Sequence, residues 1–140
     1  MKKQLLHVIG ATLLAAVVVQ AQTTQKLIVN VPFSFAAGTT VLPAGEYKVD
    51  LAVAPGVLGL QSADHKSTAL VMGISAESRE KPRQAKLTFK CYGTRYFLSQ
   101  VWPASSSIGR EIPPTDREKE AAQSAATRGQ VVVLAKADQR

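Results

Sequence analysis

The sequence predicts an antiparallel β-sandwich or partly closed β-barrel of about seven or eight strands with one C-terminal α-helix. Three observations predict it. Apolar residues alternate with polar ones at period two along most of the chain, which marks strands with one buried face. Gly and Pro punctuate these runs at short intervals. One late stretch alone carries a helix start signal. The chain has 140 residues, 46% hydrophobic and 19% charged, with a single Cys. That composition describes one packed domain without a disulfide framework and excludes a disordered, collagen-like or coiled-coil chain.

The first element is an address. Lys2 and Lys3 give a positive start, Leu5 to Val19 is almost wholly apolar, and Val19, Gln20 and Ala21 place small residues at a peptidase site. This pattern predicts a secretory signal peptide over residues 1–21, cleaved near Ala21, ahead of one β-rich domain over residues 22–140. The apolar run is shorter than the ~20 residues of a membrane-spanning helix. The expected exported chain therefore has no membrane span, and its destination is the periplasm or the medium. Removing Lys2 and Lys3 from 17 basic residues, against 10 acidic ones, leaves a balance of +5.

Between Lys26 and Phe35, Leu27, Val29, Val31, Phe33 and Phe35 share one phase. Pro32 donates no hydrogen bond and so predicts an edge or a bulge there. Gly38 and Leu42-Pro43-Ala44-Gly45 interrupt the chain before a second strand, whose inner phase is Tyr47, Val49, Leu51 and Val53. Pro55-Gly56 turns it into a third strand with Leu58 and Leu60 inward, and Asp64, His65 and Lys66 suit a hairpin tip. A fourth strand alternates Leu70, Met72 and Ile74 with Ala69, Val71 and Gly73, predicting partial cover on both faces.

The clearest hairpin runs from Gln84 to Trp102 around a Gly93-Thr94 type II′ turn. An unbroken ladder pairs Cys91 with Tyr96, Phe89 with Leu98, Leu87 with Gln100 and Ala85 with Trp102, all on the inner face. It leaves Phe97 and Val101 on the outer face, for the C-terminal segment to cover. There, Pro113-Pro114 stops the extended chain, Thr115 is an N-cap and Glu118 completes a capping box. The helix is expected from about residue 116 to 127. Ala121, Ala122, Ala125 and Ala126 form its sheet-facing stripe, with Arg117 to Glu120 in water. A last strand is expected over about residues 131–135, buried on both faces.

Few side chains are suited to catalysis. Beyond residue 21, His65 is the sole histidine and Cys91 the sole cysteine. A Ser–His–Asp set needs a carboxylate aimed at the imidazole, and adjacent Asp64 points the other way on an extended chain. Zinc sites require three or four ligands. The phase of Cys91 with Leu87 and Phe89 places it in the core, where a thiol is inert. Neither Glu77 with Glu80 nor Glu118 with Glu120 is set apart as a glycosidase pair. No phosphate-loop or dinucleotide motif occurs, so no cofactor and no metal site is expected. A membrane barrel needs apolar outer positions, whereas the exposed phase carries Lys48, Asp50, Lys86 and Lys90.

Basic residues concentrate at Arg79, Lys81, Arg83, Lys86, Lys90 and Arg95. With the adjacent aromatics, Lys90, Tyr92, Arg95 and Phe97 form a candidate contact surface for an anionic envelope polymer or polysaccharide; export argues against nucleic acid as the partner.

The segments Val31-Pro32-Phe33-Ser34-Phe35, Leu42 to Tyr47, Lys86 to Phe89, Tyr92-Gly93, Tyr96 to Leu98, Gly109 to Pro113 and Arg117 to Glu120 resemble a group of small exported bacterial hypothetical proteins. The resemblance implies a signal peptide followed by one β-rich domain, and it carries over no functional residue. The expectation is a secreted or periplasmic, non-catalytic β-domain with a binding or structural role in the cell envelope. The alternative is a small exported hydrolase or isomerase with its site spread over several strands. Apolar outer residues leave a subunit interface open as a third reading.

Overall fold

The computed structural model describes residues 26–138; the segment read as an export signal lies outside them. The chain forms β1 (Lys26–Val31), β2 (Phe35–Ala37), β3 (Thr40–Leu42), β4 (Gly45–Ala54), β5 (Val57–Ser62) and β6 (Thr68–Met72). It continues as β7 (Ile74–Glu77), β8 (Lys86–Tyr92), β9 (Arg95–Trp102), β10 (Ile108–Glu111), α1 (Asp116–Ser124) and β11 (Arg128–Ala137). The sheet order is β3-β2-β9-β8-β11-β1-β4-β5-β6. Beyond Gly73 the chain leaves β6 as β7, which pairs with β10, and β10 returns to β9. The result is a nearly closed barrel with one helix. All pairings are antiparallel except β2 with β9, which meet at Ala36 and Phe97.

Turn chemistry sets the hairpins. Gly93 takes φ 64 while Thr94 does not enter the left-handed region, as a type II′ turn requires. Gly56 takes φ 72 after Pro55, joining β4 to β5. At the β5–β6 tip, Asp64 accepts hydrogen bonds from the Ser62 hydroxyl (2.5 Å) and the Lys66 amide (3.0 Å). His65 is exposed there at φ 61.

The inner phase read from the sequence forms the core. Leu27, Val29, Val31, Phe35, Tyr47, Val49, Leu51, Leu58, Leu60, Leu87, Phe89 and Leu98 are all buried. Pro32 ends β1, yet Phe33 keeps its phase, stacking on Tyr96 (centroids 3.9 Å) and meeting the edge of Phe89 at 5.0 Å. Phe35 bridges Phe89 and Tyr47 at 5.2 and 5.4 Å, so an aromatic chain runs from the β8–β9 turn into the interior.

Several expectations are corrected. Phe89 pairs with Leu98 as expected, but Thr88 pairs with Gln100, so Ser99 is an extra residue in β9. A bulge reverses the side of every later residue. Val101 consequently faces Leu87 in the core, and Trp102 moves to the outer face beside Lys86. A register irregularity between Asp50 and Ala54 likewise turns Val53 outward. Leu70 and Met72 are 66% and 69% exposed, because no second layer covers the outside of β6.

The helix stops three residues before the expected end, as the Arg128 guanidinium caps the Ala122 carbonyl (2.6 Å) and pairing with β8 begins at Arg128. The last strand accordingly runs longer than expected. It is buried on one side at most, with Val132 and Leu134 exposed. Cys91 is half-buried near the hairpin turn rather than in the core, its thiol donating to the Gly93 carbonyl at 3.2 Å.

Candidate functional site

The outer face of the β8–β9 hairpin carries the residues singled out from the sequence, and the structure divides them. Lys90 pairs with Phe97 and Tyr92 with Arg95 across the ladder, so all four project from one face. α1 then docks on that face. Ala121 packs with Phe97 and Ala36, and Tyr92 lies against the same cluster. Phe97 is 3% exposed and is therefore a docking surface for the helix, with no area left for a partner. The cover expected from the C-terminal segment is supplied at Phe97 and not at Val101, which the bulge has turned inward.

Glu118 does not stay in water. Its amide donates to Thr115 Oγ1 (3.3 Å), the N-cap half of the predicted box, while its carboxylate accepts from the Tyr92 hydroxyl (3.3 Å) and is 6% exposed. Burial, reinforced by the Glu118 charge, raises the Tyr92 pKa above its ordinary value of 10.0. Of the four residues, Arg95 stays exposed and Lys90 half-buried. Arg95 lies over the Phe97 ring with Cζ 5.4 Å from the centroid.

A larger concavity on this face lies at the other end of the hairpin. Lys81, Arg83 and Lys86 line a groove of 500 Å³ with Gln100 and Trp102, and Glu80 is the single acidic residue of its lining. The indole N–H of Trp102 donates to Gln100 Oε1 at 3.1 Å, and the ring lies against Gly109. The cationic segment is pinned in place. Ser78 donates its amide to the Ser107 carbonyl, and Ser105 donates to that of Pro82, both at 2.8 Å. Arg83 also borders a second groove, of 610 Å³, whose wall carries Lys136 and Asp138. Lys86 and Lys90 stand on the same side of β8, about 13 Å apart at ordinary strand rise.

Sequence reasoning found these cations but missed Trp102, which an unbulged ladder puts inside. The signal was the spacing of β9 itself: Phe97-Leu98 and Val101-Trp102 are apolar pairs separated by Ser99-Gln100, which no strict alternation accommodates. The other candidates do not converge. His65 is exposed while Asp64 is engaged by Ser62 and Lys66, and among the described residues no three of His, Cys, Asp and Glu are grouped to hold a metal ion. No helix of the described residues is long and apolar enough to cross a membrane. No family model, no curated protein and no solved structure matches this chain.

Proposed function

We propose that the protein is an exported, non-catalytic β-barrel domain that binds an anionic polysaccharide of the cell envelope along the outer face of β8 and β9. The observation that carries this reading is the groove in which Lys81, Arg83 and Lys86 surround Gln100 and Trp102. Three cations facing one acidic residue create a local positive field whatever the net charge. A second groove begins at Arg83 and Lys90 continues the row, which suits an extended polymer better than a compact ligand. The N-terminal charge and hydropathy pattern supports the exported location.

Retention on immobilised polygalacturonate tests the reading. The wild-type protein is expected to bind at low salt and elute as salt screens the contacts. A variant with Lys81, Arg83 and Lys86 all changed to Ala is expected to elute at much lower salt with an unchanged circular dichroism spectrum. Identical elution of the two proteins would overturn the proposal.

A further inference from the structure

We propose that a notch between the start of α1 and the β2–β3 hairpin is a second, separate site that takes a single oxyanion group, a carboxylate or a phosphate monoester. The notch measures 170 Å³ and is lined by Ser34, Val41, Thr94, Arg95, Phe97 and Arg117 among others, with no Asp or Glu in its wall. That volume holds about half a dozen waters, the scale of one anionic group rather than a polymer segment. Its two guanidiniums come from different elements, Arg95 from β9 and Arg117 from α1. Neither pairs with a carboxylate among the described residues.

Arg95 is exposed but lies over the Phe97 ring, Cζ 5.4 Å from the centroid, which places its guanidinium beside the notch. Guanidinium groups recognise carboxylates and phosphates by paired hydrogen bonds. Arg117 stands in the first turn of α1, where the helix dipole disfavours a cation. Its charge is therefore not engaged by the helix, and it lines the notch together with Arg95. The Thr94 hydroxyl adds a donor at the rim, while that of Ser34 already donates to the Leu42 carbonyl (3.0 Å), and Val41 and Phe97 form apolar walls.

The test is a backbone amide NMR titration of the protein with inorganic phosphate, glucose 6-phosphate and glucuronate. Saturable shifts are expected at Thr94 to Phe97 and at Arg117, and whichever sugar anion binds tighter identifies the oxyanion. Arg117→Ala, at an exposed helix position, is expected to weaken binding about tenfold, as is Arg95→Lys, which keeps the charge but loses the fork. The Arg83→Ala/Lys86→Ala variant is expected to titrate as wild type, which separates this site from the polymer groove. Binding of none of the three anions, unsaturable shifts spread over all basic residues, or wild-type affinity in Arg117→Ala would overturn the proposal.

Discussion

Tyr47 shows how one buried polar atom fixes a turn. Its ring fills the core between β1 and β5, and its hydroxyl donates to the Pro43 carbonyl at the entrance to β4. Burial, with the Asp64 charge second, raises its pKa above 10.0. Tyr92 is raised as well, so both phenols hold their protons more tightly when folded than unfolded. Their contribution is fully present below pH 10 and is lost as pH climbs through the folded values. The 295 nm absorbance of the folded protein should keep rising above pH 10, and Tyr47→Phe should remove part of that late rise. The same change should cost about 1 kcal/mol in urea unfolding through the lost hydrogen bond.

Asp64 works in the opposite sense: its pKa is lowered, mainly by the Ser62 hydroxyl, so its contribution is lost as pH falls through the depressed value. Gly109 is demanded by contact, since an added Cβ would lie 2.5 Å from Trp102 Cε3 and 2.7 Å from the Val101 carbonyl oxygen. Gly109→Ala should destabilise by about 1–3 kcal/mol. It should also red-shift the emission of the only tryptophan in the chain.

Among the elements, α1 is the one whose attachment is thinnest. Ala121 and Glu118 are its buried residues, resting on Phe97, Ala36 and Tyr92. Glu118→Ala leaves the Tyr92 hydroxyl without its acceptor and should cost about 1–3 kcal/mol, with the Tyr92 pKa moving back toward 10. Raised binding of a hydrophobic dye would report the exposed Phe97, and a dye signal equal to wild type would show that the helix stays docked without Glu118.

The elements also show where sequence patterns stop carrying information. Strands with a full run of alternating residues, such as β5 and β4 as far as Leu51, could be read because burial of one face imposes the period. β3 and β10, at three and four residues, are too short to display a period, and one partner of β10, β7, lies about 30 residues back along the chain. The helix start was legible because its cap is local. Its end was not, because a tertiary competitor decides it: Arg128 both caps the helix and opens the ladder with β8. The bulge at Ser99 is similar, for the Ser99 carbonyl accepts the Ile112 amide (2.8 Å), a partner invisible in the hairpin alone. The candidate site inherited that error, and its cations were legible where its tryptophan was not.

At the scale of the molecule, closure depends on strands that change partners. β11 pairs with β8 through Leu134 and then with β1 from Ala135, joining the two halves of the barrel wall. Gly73 lets β6 become β7, and an added Cβ there would sit 2.9 Å from Leu58 in the core. The barrel thus encloses an aliphatic and aromatic interior and holds its chemistry outside, where the β8–β9 face gathers cations around one indole. Binding of a charged polymer to such a face should weaken steadily with ionic strength, since exposed charges are screened over about 10 Å at 0.1 M salt.

Because Trp102 is the only tryptophan and lines the cationic groove, its fluorescence reports occupancy of that groove directly. Titration with polygalacturonate should give a saturable change in emission that weakens as salt is raised, and titration with neutral dextran should give none. An emission that polygalacturonate leaves unchanged, or that dextran changes equally, would contradict the assignment of this face to an anionic polysaccharide.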